Sequence, residues 1–273
     1  MGRSGKRSGT CCGGLAGRRT VLSFNRTLKP GDRNLKDMLV PAIFWSVVAF
    51  GSFNYLLYNV VIPLHFMLER GSAILIWRFA TDGAHPAHLA IVGFMELFIG
   101  WLCFLHFRRN ELEYEVLRPG RVTSASVVFT VIGALLLPDW FASLLEPFFR
   151  GAGGEPADAF KEGAIRNFPA AQLLTFFVVA VVIAPVIEEF LFRGAFISTA
   201  LASRWPKALV VVASSAGFAY IHGQYTPFGL AIVFMMGVGL GGLRIWSGGL
   251  ALPMIAHCVH NFKAFLASLA LAM

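Results

Sequence analysis

Charge is what this sequence most conspicuously lacks. Only 14% of its 273 residues are Asp, Glu, Lys or Arg, against about 25% in a typical soluble domain. The shortage excludes an ordinary water-facing surface, and the 56% of hydrophobic residues take up the difference. Cysteine is scarce too. Cys11 and Cys12 are adjacent, Cys103 and Cys258 lie inside apolar runs, and no Cys-x-x-Cys occurs, which excludes a disulfide framework and a thiolate metal site. No linker is long enough to separate two folded domains, and no internal repeat is present. The apolar runs are too long for strands, which average about 5–6 residues. The expected class is all-α, a polytopic transmembrane bundle of about seven to eight spans, each needing about 20 residues.

Acids are nearly absent from residues 1–36. Asp32 stands alone there beside Arg3, Lys6, Arg7, Arg18, Arg19, Arg26, Lys29, Arg33 and Lys36. Gly, Ser and Arg dominate this stretch, so it has no core of its own and reads as a flexible arm. Beside an apolar helix, such an arm anchors the N-terminus on the cytoplasmic side near anionic lipid; no nucleic-acid partner is expected. The apolar segment that follows is long enough to span and is read as a first membrane helix, not a signal peptide.

The expected spans lie at about 39–62, 89–107, 122–145, 171–203, 208–224, 228–245 and 250–271. An eighth forms if the region around "AILIW" inserts. The Arg-rich "RRNELEYEVLRPGR" (108–121) then faces the cytoplasm and the weakly acidic 146–169 loop faces outward, as the positive-inside rule requires. A plasma (inner) membrane location is expected.

What is present stands out against this background. Ionisable groups inside spans are costly, so they face a protein interior or a water-filled cavity. From residue 171 the apolar segments carry Glu188, Glu189, Arg193, His222, His257, His260 and Asn261. Glu189 and Arg193 are one helical turn apart and can pair, which frees Glu188 to face another neighbour. His257 and Asn261 also share a face. Counting about 1.5 Å per residue from the turn near Pro206 puts Glu188 and His222 at similar heights. His257 needs a helix tilt, or a kink at Pro253, to join them. The glycines of "FMMGVGLGG" allow close helix approach. Glu96 and Asp139 are isolated acids without an assigned role, as are His65, His85, His88 and His106.

A carboxylate and histidines around one water suffice for hydrolysis. Glu188 takes a proton from the water, His222 orients it, and His257 with Asn261 faces the developing oxyanion. One Glu and two His (Glu188, His222, His257) equally suit a divalent metal such as zinc, although no His-Glu-x-x-His is present. A buried polar network of this kind also serves a transporter or a non-catalytic immunity or scaffold protein.

"EEFLFR" (188–193) resembles the Glu-Glu-x-x-x-Arg signature of the CAAX prenyl endopeptidase and bacteriocin-processing (CPBP) family of intramembrane proteases. "FAYIH" (218–222) resembles its Phe-x-x-x-His motif and "HCVHN" (257–261) its His-x-x-x-Asn motif; "FMMG" (234–237) is similar to a weaker Phe-x-x-Gly element. Their order on successive apolar segments is similar too, over about residues 125–271. The resemblance implies an intramembrane endopeptidase acting on a peptide or membrane-associated protein. Glu188 would be its essential acid, with His222, His257 and Asn261 completing the catalytic set and Glu189 and Arg193 supporting it. The family is described both as metal-dependent and as glutamate-type, and the sequence leaves both open. The expected organisation is a basic cytoplasmic arm (1–36), N-terminal transmembrane helices (37–121) and a catalytic helical core (122–273).

Overall fold

A computed structural model describes residues 34–56, 86–149, 170–223 and 225–272. Among them there are eight helices and no strand. The basic arm up to residue 33, the end of the first expected span, the 63–85 loop with "AILIW", His65 and His85, and most of the 146–169 loop lie outside the described residues.

The helices are α1 (35–56), α2 (Pro86–Arg109), α3 (Glu113–Leu117), α4 (Ser124–Phe149), α5 (Ala170–Ala202), α6 (Lys207–Tyr220), α7 (Pro227–Ser247) and α8 (Ala251–Ala272). Among the described residues, five segments are long and apolar enough to cross a membrane: Leu35–Ser52, Ile91–Arg109, Ser124–Phe149, Ala170–Ala202 and Pro227–Ser247. α6 is apolar but shorter. The expected spans thus reappear as helices, with α8 long enough to cross yet outside the five apolar segments. The chain is an integral membrane protein. Its outer surface carries exposed Phe94, Trp101, Phe129, Leu136, Trp140 and Trp246, the composition expected where the surrounding solvent is hydrocarbon.

Local signals set the helix ends. Thr123 and Ser126 cap α4 reciprocally: the Ser126 N–H donates to Thr123 Oγ1 (3.1 Å) and the Thr123 N–H to Ser126 Oγ (2.8 Å). Thr226 Oγ1 accepts from the Gly229 N–H at 3.3 Å, with Pro227 at the first helical position of α7, where its missing N–H costs nothing. α7 ends at Gly248 in the left-handed region (φ 71°), the usual glycine C-cap.

α5 is the centre of the bundle. Its turns are not uniformly α-helical: Val178–Ile183 and Phe190–Phe196 are π-helical, a geometry common beside functional sites. Nearly every residue from Glu188 to Ala200 is buried. Phe190, Leu191, Phe192 and Ala195 pack with Met38, Phe50, Cys103, Phe107 and Phe218 into the main core. The wall of the site is therefore built from α1, α2, α5 and α6 together.

The linker before α4 is laced to the α7–α8 turn. Arg121 N–H donates to Ser247 O (2.8 Å), Leu250 N–H to Arg118 O (2.8 Å) and Ala251 N–H to Pro119 O (3.1 Å). Gly120 is left-handed at φ 82°, and a Cβ on Gly249 would overlap the Pro119–Gly120 backbone. Gly249→Ala is expected to pry this crossing apart and to lower the melting temperature of the detergent-solubilised protein, whereas Gly242→Ala, where a Cβ meets nothing within 4 Å, leaves it unchanged. Equal melting of the two variants would show that the crossing is soft.

Candidate active site

Glu188 and Glu189 leave α5 in different directions, and their surroundings differ accordingly. Glu189 is fully buried and its Oε1 accepts two hydrogen bonds, from Arg193 Nη1 (3.0 Å) and from His257 Nδ1 (2.9 Å). Arg193, also fully buried, donates from Nη2 to Gly237 O (3.3 Å) and stacks over the Phe218 ring, 4.5 Å from its centroid. A Cβ at Gly237 would meet Ser215 Cβ at 2.9 Å. Glycine there lets α6 and α7 close up and leaves its carbonyl open to the guanidinium. Arg244 braces the same turn from α7, donating from Nε to Arg193 O (2.9 Å) and from Nη2 to Ser198 Oγ (2.7 Å).

Glu188 faces two imidazoles. Its Oε1 lies 3.9 Å from His222 Nε2 and its Oε2 lies 3.6 Å from His257 Nε2. His222 sits just beyond the end of α6, its Nδ1 2.8 Å from Phe218 O. A ring nitrogen facing a carbonyl must carry the proton, so Nδ1–H donates to Phe218 O and the Nε2 lone pair of the neutral ring points toward Glu188. His257 repeats the pattern with Glu189 in place of the carbonyl. Phe218 packs against both rings, with centroids 4.7 Å from His222 and 5.7 Å from His257, which fixes their separation.

The site brings together Glu188, Glu189, Arg193, His222 and His257. Glu189 does more than pair with Arg193: it also orients His257, a link between residues 68 apart in sequence. Pro253 lies in the first turn of α8, where it has no intrahelical hydrogen bond to break, so the expected kink is not what brings His257 in. The height count assumes α-helical rise throughout, and the π-helical turns of α5 break that assumption. Asn261 is the least central member. Its Nδ2 donates to Ala180 O at 2.8 Å, two turns before Glu188, where it ties α8 to α5.

Two charged residues without an assigned sequence role belong near the site. Arg244 is a cation in the apolar run "GGLRIWSGG", and the cost of burying it is a sufficient signal. Glu96 sits on α2 between Gly93, which abuts Val179, and Gly100, which abuts Ile187. It is buried, its Oε2 has no hydrogen-bond partner, and it is close enough to Glu188 for their charges to interact. Asp139 instead lies at the surface of α4, paired with Lys263. His260 lies near the Ala134 backbone and Asp139 of α4.

Three lone-pair acceptors converge at Glu188: its own carboxylate and two imidazole nitrogens. Their complement is a hydrogen-bond donor such as water, or a cation. The residue types would suit a divalent metal, with Glu189 behind His257 as an orienting carboxylate. However, no three His, Cys, Asp or Glu among the described residues are arranged to hold one. The residues as placed do not fit the metal.

Residues 170–263 match the family described as type II CAAX prenyl endopeptidase Rce1-like. An uncharacterized 24.3 kDa protein from Escherichia coli is 33% identical over 142 residues, which make up 51% of this chain and 58% of that protein. The chain thus spans less than two thirds of that relative's length. No solved structure matches. The stretch from 170 to 263, holding both glutamates, the arginine, both histidines and the asparagine of the cluster, is a domain of the Rce1-like type II CAAX prenyl endopeptidase family, within the CPBP intramembrane proteases.

Proposed function

We propose that the protein is an intramembrane endopeptidase that hydrolyses a peptide bond in a membrane-associated protein or peptide, using water activated by Glu188. The observation that carries this reading is the convergence of Glu188 with two imidazoles whose Nδ1 protons are already committed, to Phe218 O and to Glu189. A water donating to Glu188 and to His222 Nε2 is held with a lone pair free to attack a carbonyl. As the C–O bond forms, Glu188 takes the water's proton and later delivers it to the leaving amine.

His257 enters this scheme as a neutral ring with an acceptor toward Glu188. To face an oxyanion as a donor it must gain a proton at Nε2, and Glu189 is positioned to balance the imidazolium that results. Asn261 has two amide protons; one goes to Ala180 O and the reading gives the other to the oxyanion. The bilayer is the protein's setting, the substrate is a peptide or membrane-protein segment, and no nucleic acid takes part. An N-terminus in the cytoplasm of a plasma (inner) membrane agrees with the basic arm at 1–36, followed by transmembrane helices (37–121) and the catalytic core (122–273).

The reading is tested by reconstituting the purified chain with membrane-anchored peptides and following cleavage by mass spectrometry. His222→Ala and His257→Ala are each expected to cut kcat by about 10²-fold or more while still inserting into the membrane. Unchanged cleavage in both would return the cluster to a non-catalytic network, as in a transporter or scaffold. Metal analysis of the same active preparation, with chelation and zinc add-back, is expected to find activity without stoichiometric metal. Activity lost on chelation and regained with zinc would overturn the glutamate mechanism.

A further inference from the structure

The π-helical turn of α5 that follows Glu189 is held from three neighbouring helices. Ser214 Oγ of α6 donates to Phe192 O at 3.4 Å, and Arg244 Nε of α7 donates to Arg193 O at 2.9 Å. α3 abuts Gly194, where a Cβ would stand 2.9 Å from Val116 O. A π-helical turn is uncommon in itself. In an α-helix the Ile197 N–H would bond the carbonyl four residues back, that of Arg193. Here it reaches five residues back, to Phe192 O. The Arg193 carbonyl thus loses the donor that an α-helix would give it, and the Arg244 guanidinium takes that place.

The fit between Arg244 and this turn is specific. Arg244 is only 7% exposed, and a buried cation in an apolar run is costly. Its bonds from Nε and Nη2 join Arg193 O to Ser198 Oγ (2.7 Å), which is also buried. These two residues are five apart, the interval that a π-helical turn closes. Arginine's rigid fork of donors can span such a step, whereas a single ammonium cannot. The residue held by its carbonyl is the one whose side chain reaches Glu189 Oε1 at 3.0 Å, and that same oxygen accepts from His257 Nδ1 at 2.9 Å. Were the turn to close four residues back instead, the side chains on its two sides would rotate about the helix axis relative to one another. Arg193 would then swing off Glu189.

We propose that Arg244 is a positioning residue of the site: by joining the Arg193 carbonyl to Ser198 it holds α5 in its π-helical turn, and so aims the Arg193 guanidinium at Glu189 and, through Glu189, His257 at Glu188. It acts through Arg193. The kinetic consequence rests on the peptidase reading, and the geometric one does not.

The test compares the full chain with Arg244→Lys, Ser198→Ala and the double variant, on membrane-anchored peptides. Arg244→Lys keeps the charge and loses the fork. It is expected to cut kcat by about 10²-fold, the cost of about 1 Å of misplacement, with KM within about threefold of the wild type. Ser198→Ala removes one of the two bonds and is expected to cut kcat by about fivefold. In the double variant it adds nothing further, because both changes undo the same clamp. Ser198→Ala carries the test if Arg244→Lys does not fold. A second readout needs no activity: the ring signals of His257 in protein labelled with nitrogen-15 histidine, assigned by comparison with His257→Gln. In the wild type Glu189 fixes the proton on Nδ1, so the two ring nitrogens give well-separated signals. Arg244→Lys is expected to draw them together as the ring exchanges tautomers. A lowered melting temperature with kcat and the His257 signals unchanged overturns the proposal and makes Arg244 a brace of the fold alone. Losses that multiply in the double variant overturn it too, since the two residues would then act separately. If the wild type cleaves no peptide, the peptidase reading fails by itself, and the His257 signals decide this one.

Discussion

Glu188→Gln is expected to abolish peptide cleavage and to leave the fold intact. Glutamine keeps the volume and planarity of the side chain, so the packing of α5 has no reason to change. Its amide nitrogen can donate toward one of the two ring nitrogens, His222 Nε2 or His257 Nε2, which in the wild type face the two carboxylate oxygens at 3.9 and 3.6 Å. What it cannot do is accept the proton of an attacking water. Losing a positioned general base costs about 10²–10⁴ in rate, and here no second group is placed to substitute. Glu189 is committed to Arg193 and His257. Glu96 lies across the helix interface on α2. The measurement is kcat on a membrane-anchored peptide, with the melting temperature as a control for folding. Cleavage within a factor of about three of wild type would remove Glu188 from the mechanism; inactivity with a lowered melting temperature would call for Glu188→Asp, which keeps the charge.

Arg193→Leu has the largest expected effect on stability. Both members of the Glu189–Arg193 pair are fully buried, and removing one partner of such a pair costs about 3–5 kcal/mol because the other charge is stranded. The loss reaches further than one contact. Arg193 also donates to Gly237 O and lies over Phe218, so α5, α6 and α7 all lose a shared tie. His257 would then be the sole donor left to Glu189 Oε1. A denaturation series in detergent should show the drop. The double variant Glu189→Gln/Arg193→Leu is expected to regain part of the stability but no activity, because a neutral amide in place of the Glu189 carboxylate no longer balances charge on His257. If Arg193→Leu melted like the wild type, the pair would be ornamental.

Much of the site is legible in the sequence because charges in apolar runs are few and helical spacing is rigid. Glu189 to Arg193 and Phe218 to His222 are one-turn relations, and both appear at hydrogen-bonding or stacking distance. The Glu189–His257 bond is not legible, since it joins two helices whose rotation about their axes no local rule sets. Asn261 shows the same limit: its position on the face of His257 is readable, but not its tie to a carbonyl of α5. α8 carries His257, His260, Asn261 and Lys263 among apolar neighbours and is 22 residues long, so its length marks it as a span more clearly than its composition does. Arg244 is signalled in the sequence only by its charge within an apolar run, because its neighbours suggest a helix end facing water. Its partners are a main-chain carbonyl and Ser198, neither of which announces itself in a sequence.

α4 holds no catalytic group, yet it is fastened to the α7–α8 hairpin at two levels. The Arg118–Arg121 segment is laced to residues 247–251, and Lys263 donates to Leu135 O and Asp139 of α4 further along. A helix fixed at two heights cannot roll independently of its neighbour. The rotational setting of His257 is thus inherited partly from α4, and substitutions at Leu135, Pro138 or Asp139 would register as changes in how that imidazole is aimed. In this bundle the aim of an imidazole on α8 depends on joinery on a helix that contributes no side chain to the Glu188 cluster.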